Sequence, residues 1–121
     1  MIAESMDQSY QPERTINSRR YQRYELETEL RVAIPGQEHE EKRGRSLNIN
    51  EGGMGGIFVA GWDVGTSVAL QFSVPIASTP FTIKGVVRNR TGYRYGFEFT
   101  DLTQEARQAI TRTCRTLDLL Q

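Results

Sequence analysis

The chain has 121 residues, a length that supports one domain around a single hydrophobic core and leaves no room for a second. Its 15 lysines and arginines balance 15 aspartates and glutamates, so it lacks the broad positive face on which nucleic-acid binders draw. One cysteine, Cys114, and one histidine, His39, exclude an internal disulfide and a zinc site built from clustered ligands.

Residues 1–17 are polar, contain Pro12 and show no apolar periodicity, which predicts a flexible arm ahead of a domain spanning 18–121. The start lacks the charged-then-apolar order of a secretory leader, and no apolar run reaches the roughly 18 residues of a membrane span. The expectation is a soluble, cytoplasmic protein with no membrane insertion. Between residues 14 and 23 there are four arginines and no acid, ending in S-R-R-Y-Q-R-Y-E-L at 18–26. Positive charge this local on a neutral chain suits a small, discrete anion better than a polyanion. The plainer reading is solvated surface charge pairing with Glu25 or Glu27.

From Tyr24 the pattern alternates, with Tyr24, Leu26, Leu30, Val32 and Ile34 on one face and Glu25, Glu27, Glu29 and Arg31 on the other, as in a half-buried antiparallel strand. Pro35-Gly36 ends it, and Gln37 to Glu41 read as a solvated connection. A second strand over Lys42 to Ile49 would turn Leu47 and Ile49 inward and Ser46, Asn48 and Asn50 outward. A glycine-rich turn at 52–56 leads to Ile57, Phe58 and Val59, and a loop from Gly61 to Thr66 follows, where Trp62 is expected to be partly buried. Val68, Leu70, Phe72 and Val74 mark the next strand, and Pro75 to Pro80 form a connection. Phe81, Ile83, Gly85 and Val87 line a fifth strand, Thr91-Gly92 makes a tight turn, and Tyr95, Phe97 and Phe99 line a sixth. Six short strands at this spacing predict a small antiparallel barrel.

Beyond Phe99 the period lengthens, and Leu102, Ala106, Ile110, Cys114 and Leu117 fall on one stripe of a terminal amphipathic helix. Thr103 is the expected cap, with Asp101 in competition, and Glu105 suits the positive end of the helix dipole. The helix is expected to seal one end of the barrel. Cys114 lies on the buried stripe, which favours packing over nucleophilic chemistry.

Two features exceed what the fold requires: the R-x-x-x-R of Arg19 and Arg23, and L-N-I-N-E-G-G-M-G-G at 47–56. Each alone is a weak signal. In this order, with V-G-T-S-V-A-L-Q-F at 64–72, G-V-V-R at 85–88 and Y-G-F-E-F at 95–99, they resemble the PilZ domain family of bacterial cyclic di-GMP receptors over residues 18 to 117. Arg19 and Arg23 match the family's arginine motif, with Arg20 as its frequent companion. Asn48, Gly52 and Gly53 stand in the [D/N]-x-S-x-x-G motif, and Asn50 occupies the place of its serine.

The resemblance implies a six-stranded barrel with a carboxy-terminal helix, and cyclic di-GMP held on its outer surface by Arg19, Arg20, Arg23, Asn48, Asn50, Gly52 and Gly53. No metal, no cofactor and no enzymatic activity are expected. The chemistry suits these residue types: a guanidinium grips a phosphate with two parallel bonds, pairs with a guanine edge or stacks on a base. An asparagine at position 50 offers an acceptor and a donor to a guanine edge. The signal would then leave through contact with a downstream protein partner, as the arginine segment orders against the barrel. The alternative is a protein-interaction adaptor of the same fold with weak or no nucleotide binding. A nucleic-acid-binding barrel is disfavoured by the neutral charge, and an enzyme by the lack of a histidine paired with a nucleophile.

Overall fold

Apolar side chains at every second position give each strand a face that must leave water, and the chain meets this need by closing a sheet on itself. The structure is a computed structural model that describes residues 22–74 and 80–121. Its strands are β1 (Tyr24–Glu25), β2 (Glu29–Ala33), β3 (Lys42–Ile49), β4 (Gly53–Ile57), β5 (Ser67–Phe72), β6 (Phe81–Thr91) and β7 (Arg94–Phe99), followed by helix α1 (Gln104–Leu120). Pairings are antiparallel in the order β2-β5-β6-β7-β4-β3, and β3 returns to β2, so six strands close a barrel with no open edge. β1 extends β2's side of β3, setting Tyr24 opposite Ile49 and Glu25 opposite Asn48. The expected amino-terminal arm and arginines 19 and 20 lie outside the described residues.

The barrel interior is filled by Leu30, Val32, Ile49, Val68, Leu70, Phe72, Ile83, Val87 and Phe97, all buried. Where β4 ends, Phe58, Trp62, Tyr95 and Phe97 form an aromatic cluster; Phe58 and Tyr95 both meet Trp62 edge-on with centroids 5.2 Å apart. Trp62 is only 9% exposed, more deeply seated than its loop position suggests. Helix α1 adds Ile110, Cys114 and Leu117 to the same core. Thr103 is its cap, the Oγ1 accepting from the Ala106 N–H at 3.0 Å. Asp101 instead takes a left-handed turn conformation at φ 53°. The helix ends beside β1: the Gln121 Nε2 donates to the Glu25 carbonyl at 2.7 Å, and its Oε1 accepts from the Glu25 N–H at 2.9 Å.

Three details depart from the sequence expectation. The strand from Tyr24 to Ile34 breaks at residues 26–28, although Leu26, Leu30 and Val32 keep their inward face. Ser46, expected outside, is fully buried, because a bulge between Ser46 and Asn48 resets the alternation and leaves Leu47 only half-buried. The buried hydroxyl serves the broken strand: it accepts from the Thr28 N–H at 2.9 Å and donates to the Leu26 carbonyl. Finally, the glycine-rich turn expected at 52–56 is mostly strand β4, and the turn itself is confined to residues 50–52. Glycine is required in β4 because its neighbour comes so close; a Cβ on Gly53 would sit 2.1 Å from the Phe97 carbonyl oxygen.

Candidate functional site

The pairing of β1 with β3 carries the residue two before Glu25 onto Asn48, so Arg23 meets the second motif through backbone register. Its Nη1 donates to the Asn48 Oδ1 at 3.0 Å. Asn48 follows the β3 bulge, and its Oδ1 would lie 3.1 Å from a Cβ on Gly55, so its amide lies across that glycine. Asn50 stands beyond the end of β3 and shapes the turn: its N–H donates to the Gly53 carbonyl at 2.9 Å, and its Oδ1 accepts from the Gly52 N–H at 2.7 Å. That side-chain turn, rather than a shared strand face with Asn48, places its remaining amide group. Gly52 in turn accepts from the Phe99 N–H at 2.9 Å, which ties the turn to β7.

A groove of about 440 Å³ runs over this surface. Arg23, Asn50, Gly52 and Gly53 border it, and Asn48 stands behind Arg23. Arg88, Asn89 and Glu98 border it from β6 and β7, while Leu102 and Arg107 border it from the start of the helix. A row crosses four strands here: Asn48 pairs with Gly55, Gly55 with Gly96, and Gly96 with Asn89, and its last two members line the groove. A second bulge, between Val87 and Asn89, mirrors the one on β3. Two bulges thus set two asparagines about a glycine pair.

The charges around the groove are partly matched. Arg88 Nε contacts the Glu98 carboxylate, Lys84 Nζ lies 3.7 Å from Asp101, and the Glu51 carboxylate accepts from the Thr111 hydroxyl at 3.4 Å. Burial raises the pKa of the neighbouring Tyr24 phenol, and the Asp118 carboxylate beside it adds to the shift. Burial likewise pushes the Cys114 thiol up to about 11, the character of a packed and unreactive sulfur. Among the described residues no three His, Cys, Asp or Glu side chains gather as a metal site, and no helix is long and apolar enough to cross a membrane. Guanidinium and amide groups over a glycine floor can hold an anion that also carries hydrogen-bonding edges.

Sequence reading missed Arg88, Asn89 and Arg107. The alternation at Ile83, Gly85 and Val87 gives way to R-N-R at 88–90, a lapse of period that marks the bulge and was the available signal for the first two. Arg107 gives no such signal, since a basic residue on a helix exterior is ordinary.

The PilZ domain model matches residues 17–115. No curated protein matches the sequence. Among solved structures, the inhibitor of motility MotI/DgrA of Bacillus subtilis superposes with a TM-score of 0.72 at 20% identity, over 85% of this chain and 52% of its own. The present chain thus spans about half of that protein. The PilZ domain of YcgR from Escherichia coli, solved with c-di-GMP, gives 0.67 at 16% identity over 84% of this chain and 92% of its own. The PilZ domain of CeSA from a cellulose-synthesizing bacterium gives 0.65 at 14% identity over 80% and 98%.

Proposed function

The chain belongs to the PilZ domain family, and on that premise we propose that it is a cytoplasmic receptor for cyclic di-GMP, which signals through contact with a downstream protein. The observation that carries this reading is the Arg23–Asn48 hydrogen bond of 3.0 Å beside the groove. It joins one residue of each motif on the outer surface of the barrel. Further support comes from the bound ligand in the YcgR domain of like fold.

Arg19, Arg20 and Arg23 grip the phosphodiesters and a guanine edge through paired, charge-assisted bonds. Asn48 orients Arg23, and the Asn50 amide left over from the turn donates to a guanine. Gly52 and Gly53 keep the backbone low, so the ligand lies flat against the sheet. The arginine segment favours its ordered state when the ligand is present, and this differential affinity shifts the population and reshapes a contact surface.

Isothermal titration with cyclic di-GMP tests the proposal. Saturable heat with a raised melting temperature is expected. No heat and no thermal shift at about 100 μM ligand would overturn it. The chain would then be a protein-interaction adaptor, a reading favoured by Asn50 in place of the family's serine and tested by recovery of one partner with and without ligand.

A further inference from the structure

Three arginines on three different elements border the groove: Arg23 before β1, Arg88 on β6 and Arg107 on α1. Two of the nearby acids are ion-paired, Glu98 with Arg88 and Asp101 with Lys84, while Glu51 accepts from the Thr111 hydroxyl and keeps its charge. Arg107 is exposed and, among the described residues, makes no ion pair. Its backbone is nonetheless fixed. The Arg107 N–H donates to the Thr103 carbonyl at 2.9 Å in the first turn of the helix, Thr103 caps that turn, and one turn further on Thr111 holds the Asn50–Gly52 turn through Glu51. A long cation with a rigid base and no carboxylate partner, placed over a groove, gains most from an anion delivered there.

We propose that Arg107 is a further arginine of the nucleotide site, that it pairs with a phosphodiester of the ligand, and that helix α1 is therefore a wall of the site. This rests on the cyclic di-GMP reading, and it deepens it. A cyclic dinucleotide carries two phosphodiesters, and a site with arginines on both the segment before β1 and the helix serves both. Ligand binding then bears directly on the helix that also clamps β1 through Gln121.

Titration of cyclic di-GMP into the parent, Arg107→Ala, Arg107→Lys and Arg23→Ala tests this, with melting temperature as the control for folding. Arg107→Ala is expected to bind about tenfold more weakly with an unchanged melting temperature, Arg107→Lys to recover part of the loss as a point charge, and the loss to shrink at high salt. If Arg107→Ala binds within about twofold of the parent while Arg23→Ala is impaired, Arg107 is only surface charge and the receptor assignment stands. A parent that does not bind overturns both.

Discussion

Arg23 and Asn48, 25 positions apart in the chain, are joined by a hydrogen bond of 3.0 Å from Nη1 to Oδ1. The bond exists because β1 pairs only two residues with β3, Tyr24 with Ile49 and Glu25 with Asn48, and so delivers the preceding segment to the end of that strand. Arg23 and Asn48, each unremarkable in sequence, come to one surface through that short register.

Removing either partner therefore affects the ligand through different routes. Arg23→Ala deletes a charge-assisted contact and is expected to weaken cyclic di-GMP by at least about tenfold while the barrel stays folded. Asn48→Ala leaves the charge but loses its orientation, so a smaller loss is expected. The double variant should fall short of the sum of the two in a titration cycle, because each single change already breaks the shared bond. Strict additivity would show that the Arg23–Asn48 bond has no part in binding.

Asn50 has a conformational duty separate from any ligand. Its Oδ1 closes the turn on the Gly52 N–H at 2.7 Å, and a serine hydroxyl closes the same kind of turn. Asn50→Ser is thus expected to fold as stably as the parent. Asn50→Ala should lose about 1 kcal/mol in urea unfolding, the usual worth of one such bond. An alanine variant as stable as the parent would mean that the turn is held by its other bonds, from the Asn50 N–H to Gly53 and from the Phe99 N–H to Gly52.

The barrel and its helix were legible because alternation and a later change of period are properties of apolar positions alone. Ile83, Val87, Tyr95, Phe97 and Phe99 all fall inside as read. Bulges were not legible: the extra residue at Leu47 turns Ser46 inward, and the group its hydroxyl serves, the Thr28 N–H, lies eighteen residues earlier in the chain. The same blindness hid half of the groove. Arg88 and Asn89 reach it because of a bulge on β6, and Arg107 because the first turn of the helix borders it, neither of which a local pattern encodes. Glycines at 53, 55 and 56 read as a turn from composition, yet they form a strand, in which Gly53 is pressed against the Phe97 carbonyl while Gly55 and Gly56 lie under the Asn48, Leu30 and Phe58 side chains.

That crowding is testable by contrasting two glycines. A Cβ on Gly53 would meet the Phe97 carbonyl at 2.1 Å, whereas one on Gly96 would meet the Asn89 Oδ1 at 2.5 Å. Backbone in a closed barrel cannot yield without disturbing the ladder, but the end of an asparagine side chain can rotate away. Gly53→Ala is therefore expected to cost about 3 kcal/mol or to prevent folding, and Gly96→Ala nearer 1 kcal/mol. Equal losses in denaturant unfolding would contradict this account of the floor.

The Cys114 thiol supplies a pH signature of the helix packing. Burial, with the Glu51 carboxylate adding to it, raises its pKa from the ordinary 9.0 to about 11. The sign follows from linkage. Below pH 9 the thiol is protonated in both the folded and unfolded chain, and its contribution to stability is fully present. As pH rises from 9 toward 11 the unfolded chain releases this proton while the folded chain keeps it, so stability falls. Tyr24, also raised, pulls in the same direction, so the cysteine is isolated by comparison with Cys114→Ala, whose stability should decline less steeply over that window. The native thiol should also react with a disulfide reagent at pH 8 only as fast as the helix opens. Rapid labelling at that pH, or a variant with the parent's slope, would show that the stripe through Ile110, Cys114 and Leu117 is not seated in the core, and the helix would then be too loosely held to serve as a wall of the groove.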